Sequence, residues 1–146
     1  MKSSNLLLKS NLLSGFVLGL FLLSFSSCVK DERNCIASGG KGSLKVEVFP
    51  VYKGQPVTST NAFKDTVYIK YGAKSFPGQS PSKYELKYVI PEGKNSINIT
   101  KLNCGVYYFY VVCKDSISGK RITGGANFIS DKITGSFNLV VPVDLK

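Results

Sequence analysis

Four cysteines, at positions 28, 35, 104 and 113, are the most reactive side chains in this 146-residue sequence, which contains no histidine. Without an imidazole, Ser/His and Cys/His nucleophilic pairs are excluded by composition. Cys35, Cys104 and Cys113 are too far apart for a close-pair zinc motif, and acidic residues cluster nowhere beyond Asp31 and Glu32. No catalytic residue, metal site or cofactor is therefore assigned, and the chain is expected to be non-enzymatic. In an oxidising compartment Cys35, Cys104 and Cys113 read as one disulfide plus an odd thiol, with three unpaired thiols as the alternative. Cys104 and Cys113 bracket one predicted strand, and nine residues of extended chain at about 3.3 Å each hold their Cα atoms beyond the roughly 7 Å bonding limit. Cys35 is then left to pair with either Cys104 or Cys113.

Cys28 belongs to a different chemistry. Residues 1–11 are polar and carry Lys2 and Lys9, residues 12–25 are apolar and uncharged, and Ser26-Ser27-Cys28 follows. Basic, apolar, then small is the order of a secretory signal. The apolar run has 14 residues, short of the about 20 that cross a bilayer, so a permanent spanning helix is the weaker reading. The segment resembles a bacterial lipobox, with Phe25 where Leu is most common. That resemblance implies cleavage before Cys28 and acylation of its sulfur and usually of the new amino terminus. Two or more acyl chains, at about 0.8 kcal/mol per buried methylene, anchor a protein stably where one does not. Lys30-Asp31-Glu32 resembles the lipoprotein export signal of Bacteroidota, a Lys and two acidic residues just past the lipidated Cys. It implies an outer-membrane lipoprotein exposed at the cell surface, with the periplasmic face as the alternative.

The formal charge is +10, and removal of a leader carrying Lys2 and Lys9 leaves 17 basic and nine acidic side chains. Only two of the basic residues are Arg, and no run of basic residues reaches three. Such scattered charge reads as solvated strand faces and loops, and an exported chain is not expected to meet nucleic acid.

The chain is expected to divide into a signal peptide (1–27), a lipidated flexible tether (28–42) and one β-domain (43–146). Residues 36–42, Ile-Ala-Ser-Gly-Gly-Lys-Gly, have linker composition. Beyond them apolar residues alternate with polar ones and no helical period is sustained. Strands are predicted over 44–48, 67–71, 84–90, 97–102, 106–113, 121–129 and 136–143, about seven in roughly a hundred residues, the spacing of an antiparallel Ig-like sandwich. In the fifth of these, Tyr107, Phe109 and Val111 share one face and Val106, Tyr108, Tyr110 and Val112 the other, so that strand is expected to be central. Gly124-Gly125 predicts a bulge or bend in the sixth.

These residues resemble the transthyretin-like sandwiches of the carboxypeptidase regulatory-like type. The likeness rests on the opening strand 44–48, the turn Gly54-Gln55-Pro56-Val57, the strand Val67-Tyr68-Ile69, and Leu102-Asn103-Cys104-Gly105-Val106-Tyr107-Tyr108-Phe109. It covers residues 43 to 143 and implies a non-catalytic add-on or adhesive module.

Tyr68, Tyr108 and Tyr110 fall on outward parity beside Lys70, a candidate aromatic strip for stacking on sugars or gripping a peptide; cross-strand pairs that only stabilise the sheet are the plainer reading. Residues 73–83 form a loop long for a hairpin and a candidate contact loop. Asp115-Ser116-Ile117 and Asp65-Thr66-Val67 resemble the Asp-Ser/Thr-aliphatic acceptor of Bacteroidota O-glycosylation, Ser116 being the better placed because Thr66 lies in a predicted strand. The leading expectation is a lipid-anchored envelope lipoprotein whose domain binds or scaffolds another envelope protein. A glycan-binding accessory of a surface polysaccharide uptake system is the alternative.

Overall fold

The computed structural model describes Cys35, residues 38–60 and residues 62–145. Cys28, Lys30, Asp31 and Glu32, with the expected leader, lie outside the described residues. The domain is all-β, and its sheet has eight strands: β1 (Ser43–Tyr52), β2 (Gln55–Pro56), β3 (Thr66–Tyr71), β4 (Leu86–Val89), β5 (Ile97–Leu102), β6 (Gly105–Lys114), β7 (Arg121–Ser130) and β8 (Thr134–Leu145). One 3-10 turn, Pro81–Lys83, interrupts the loop between β3 and β4.

Alternation sets the inner faces. Leu44, Val46 and Val48 of β1 are fully buried, whereas Lys45 faces water. Val67 and Ile69 of β3 and Tyr107, Phe109, Val111 and Cys113 of β6 join them in one apolar cluster. β6 is central, as its two apolar faces require: it pairs antiparallel with β3 on one side and along its whole length with β7 on the other.

The strands form one curled, mixed sheet where an antiparallel Ig-like sandwich was expected. β1 runs parallel to β8 from Ser43↔Thr134 to Tyr52↔Val143, so the sheet is mixed. Alternation fixes which side chains face inward but carries no information on strand direction, and here the first and last long strands of the domain meet. The other edge of β1 takes β5 along residues 44–48 and the two-residue β2 at 51–52.

The sheet curls where β7 and β8 meet, since they pair only at Ile122–Leu145, Thr123–Asp144 and Gly124–Val143. A Cβ on Gly124 would stand 1.8 Å from the carbonyl oxygen of Pro142, so this crossing of backbones needs glycine. Past it the two strands diverge, and Phe128 and Phe137 pack between them with ring centroids 5.3 Å apart.

Residues 38–42, the described end of the expected flexible tether, are bound to the domain. The Gly42 N–H donates to the Lys101 carbonyl at 2.9 Å, and Asn103 N–H donates to the Gly39 carbonyl at 2.9 Å. Ser38 passes over Gly105, where a Cβ would lie 2.9 Å from the Ser38 nitrogen. The Tyr107 hydroxyl donates to the Asn103 carbonyl at 2.7 Å and receives the Gly39 N–H at 3.1 Å. Small residues, read from composition as linker, serve here to let the chain lie flat on a sheet edge. The ordered unit therefore begins before Ser43.

Candidate functional site

The cysteines occupy two environments. Cys35 and Cys104 are joined, with Cα atoms 5.4 Å apart across 69 residues of sequence, and Cys104 immediately precedes β6. Cys113, at the other end of β6, is unbonded and buried. Burial pushes its thiol well above the ordinary range, and the neighbouring Asp65 adds to the effect, so it stays protonated and is a poor nucleophile. Among the described residues no three Cys, Asp or Glu side chains converge as a metal-ligand set.

The tyrosine strip lies on the outer face, as parity requires, but it is capped. β3 and β6 set Tyr68 opposite Tyr110 and Lys70 opposite Tyr108. The 73–85 segment then folds over them: Tyr84 stacks on Tyr110 at 5.7 Å, and Phe76 packs on Tyr110 at 5.1 Å and Tyr108 at 5.9 Å. Tyr110 is left 1% exposed, while Tyr68 and Tyr108 are half-buried. The loop is fixed by Tyr84 Oη to the Gly78 carbonyl at 2.7 Å, Lys83 Nζ to the Pro77 carbonyl at 2.8 Å, and Asn127 Nδ2 to the Lys74 carbonyl at 2.6 Å. Burial pushes the Tyr84 and Tyr108 phenols above their ordinary range, with the neighbouring Tyr110 adding to it. The strip is thus a second aromatic core under a strapped loop rather than an open stacking platform.

Of the two glycosylation candidates, Thr66 is buried in β3 and its Oγ1 donates to the Lys64 carbonyl at 2.7 Å. Ser116 is exposed in the β6–β7 turn.

That turn forms one wall of a groove which the sequence reading did not find. The other wall is the β1–β2 hairpin, whose central residues Lys53 and Gly54 both have positive φ, as a tight two-residue turn requires. Between the walls lies a cavity of about 560 Å³, with apolar surface from Tyr52, Pro56, Val57, Ile117, Ile122 and Leu145. Lys53, Lys120 and Asp115 also border it. The hairpin and turn residues are far apart in sequence, Val57 and Asp115 by 58 residues, and only the adjacency of β1, β8 and β7 brings them together. The one legible signal was Ile117, an isoleucine in a turn otherwise made of Asp, Ser, Gly and Lys.

The β6–β7 turn is held from within. The Gly119 N–H donates to the Asp115 carbonyl at 2.8 Å, the Asp115 N–H to the Lys120 carbonyl at 2.8 Å, and the Ser118 N–H to Asp115 Oδ2 at 3.0 Å. The Ser118 hydroxyl also donates to that carboxylate. These Ser118 contacts hold the Asp115 carboxyl below the ordinary range, helped by the Ile117 N–H and the Lys53 charge. The turn presents Ile117 96% exposed.

No protein-family model matches the chain, and no curated protein matches it. Among solved structures, a DUF4876 family protein from Bacteroides thetaiotaomicron is similar over 70% of this chain and 24% of that one, at 18% identity and a TM-score of 0.39. The chain therefore spans about a quarter of the length of that protein.

Proposed function

We propose that the chain is a non-enzymatic, lipid-anchored envelope lipoprotein whose β-domain displays a binding groove to a protein partner, away from the membrane. The observation that carries this reading is the polarity of β6. Cys104, bonded to Cys35, sits at its start, and the groove-forming turn follows its end. Ten extended residues at about 3.3 Å each separate the two by roughly 30 Å. A chain tethered through Cys28, seven residues before Cys35, keeps the Cys104 end within about 25 Å of its anchor, and on this reading the groove at the far end of β6 is the part presented outward. The transthyretin-like resemblance and the Lys30-Asp31-Glu32 signal support the same role, an add-on module at the cell surface. The glycan-binding alternative loses its platform to the loop that covers Tyr110.

The test is chemical and cellular. Mass spectrometry of the protein from its own membranes should give an amino-terminal peptide beginning at an acylated Cys28, and Cys28→Ala should move the domain to the soluble envelope fraction. A retained leader or an unmodified thiol at Cys28 would refute the anchored reading.

A further inference from the structure

We propose that the groove between the β1–β2 hairpin and the β6–β7 turn receives an extended protein segment in which aliphatic side chains are flanked by carboxylates. The inference rests on the display reading above and adds the chemistry of the partner.

Three features select this occupant. The first is an isoleucine fixed in water. The β6–β7 turn directs its internal hydrogen bonds to Asp115, which fixes the backbone that carries Ile117 and leaves its side chain 96% exposed. A large aliphatic side chain presented by a rigid turn beside a concave apolar surface is complementary to another aliphatic group. The second is the character of the floor. Val57, Ile122 and Leu145 are aliphatic, and the one aromatic ring, Tyr52, has the Lys53 ammonium 5.1 Å from its centroid. Sugars stack on open aromatic faces, and here the Lys53 ammonium stands over the one ring among the groove's described residues. The third is charge. Lys53 and Lys120 stand at the groove and form no ion pair among the described residues, while Lys114 and Arg121 face each other at the base of the same turn. Among the described residues Asp115 is the one carboxylate that borders the groove; hydrogen-bonded by Ser118 and the Ile117 N–H, it keeps its charge and offsets one of these four cations. The local field is positive and favours an acidic ligand, more in rate and selectivity than in raw affinity.

The full chain in neutral detergent is titrated, by fluorescence anisotropy, with three labelled ten-residue probes alternating Leu with Glu, Gln or Lys, against a blank of detergent alone. The Glu probe should bind saturably and at least about tenfold more tightly than the Gln probe, with the Lys probe weakest. Lys53→Glu combined with Lys120→Glu should reverse the order of the Glu and Lys probes. Lys120→Glu alone, at an exposed turn position, should narrow the gap without loss of fold. Ile117→Ser should weaken the Glu probe by about tenfold while leaving the charge order intact. Equal affinity for all three probes, or a Glu-probe affinity indifferent to the double substitution, overturns the proposal. Polysaccharide retention that the double substitution abolishes overturns it in favour of a glycan. Membrane association that depends on Cys28 is read separately by detergent-phase partition. Display can thus stand where the ligand chemistry fails, and loss of partition with intact probe binding would instead overturn display.

Discussion

Asp65 is a buried carboxylate whose ionisation is linked to the fold of this domain. It is 2% exposed, its Oδ1 accepts the Lys114 backbone N–H at 3.1 Å, and its own carbonyl accepts the Ile90 N–H at 2.8 Å. It thereby ties the entry of β3 to the ends of β4 and β6. Burial raises its carboxyl above the ordinary range, against the opposing pull of the Lys114 N–H and the Ser59 hydroxyl. Between the unfolded value near 3.9 and the raised folded value the native state binds more protons than the unfolded chain. Stability from this residue therefore falls as pH rises through that window, and the penalty is complete above it. Asp65→Asn keeps an acceptor for Lys114 and removes the buried charge. It should be no less stable than the native domain at pH 7 and should flatten the acid side of the stability profile. Asp65→Ala leaves the Lys114 N–H without its partner and should cost about 1–3 kcal/mol in urea melts. A stability gain on raising pH from 4 to 7 that vanishes in Asp65→Asn would reverse the sign of this account. Little of this was legible in the sequence, where Asp65 stood out only as the first residue of a short acceptor motif. The burial of a loop carboxylate is decided by which strands close around it. The tyrosines illustrate the same limit: parity placed Tyr68, Tyr108 and Tyr110 on one face, but no periodicity could show that Phe76 and Tyr84 would return to cover them.

At the scale of elements, Gly124 and Gly125 are neighbours with different work. A Cβ on Gly124 would meet the Pro142 backbone oxygen at 1.8 Å, and backbone cannot yield without separating β7 from β8. A Cβ on Gly125 would meet the Tyr108 phenol at 2.4 Å, and that group is the far end of a half-buried side chain, which can shift where backbone cannot. Gly124→Ala should therefore cost more than about 2 kcal/mol, whereas Gly125→Ala should cost less than about 1 kcal/mol and appear mainly as a change in the near-ultraviolet tyrosine signal. Equal losses would mean that the crossing at Pro142 is not the point about which the sheet curls. The sequence announced a bend at this pair, because two adjacent glycines in a strand are hard to explain otherwise. It also supplied most strands and their inner faces, since Leu44, Val46, Val48, Tyr107, Phe109 and Val111 declare themselves by alternation. It could not supply the parallel β1–β8 pairing, because period-two alternation reads the same in either direction. The groove was hidden for the same reason, since its two walls become neighbours only through that pairing.

For the whole molecule, the Cys35–Cys104 bond fixes both stability and reach. Closing a 69-residue separation removes unfolded-state entropy worth about 4 kcal/mol in the chain-entropy estimate, with 2–4 kcal/mol typical of measured cases. Cys35→Ser should lower denaturant stability within that range. Its geometric effect is separate. From Cys28 to Cys35 the chain can span at most about 25 Å, so on the lipid-anchored reading proposed above the bond should keep the β5–β6 end within that distance of the anchor, with the groove at the other end of β6, roughly 30 Å away along the strand. Breaking the bond leaves the described part of that segment held by weaker contacts, chiefly the hydrogen bonds of Gly39 and Gly42 to Asn103, Tyr107 and Lys101, and fraying of that strip lengthens the leash. A fluorophore on Ser116→Cys should accordingly report on reach when the acylated chain sits in vesicles containing lipid-borne quenchers, because the buried Cys113 does not compete for label. With the disulfide intact the label should be unquenched and a label at Lys101→Cys strongly quenched. Pairing Cys35→Ser with Cys104→Ser should blur that difference as the domain tumbles on a longer tether. Equal quenching of the two labels in the disulfide-bonded protein would mean that the domain lies flat on the bilayer, with its groove facing lipid rather than a partner.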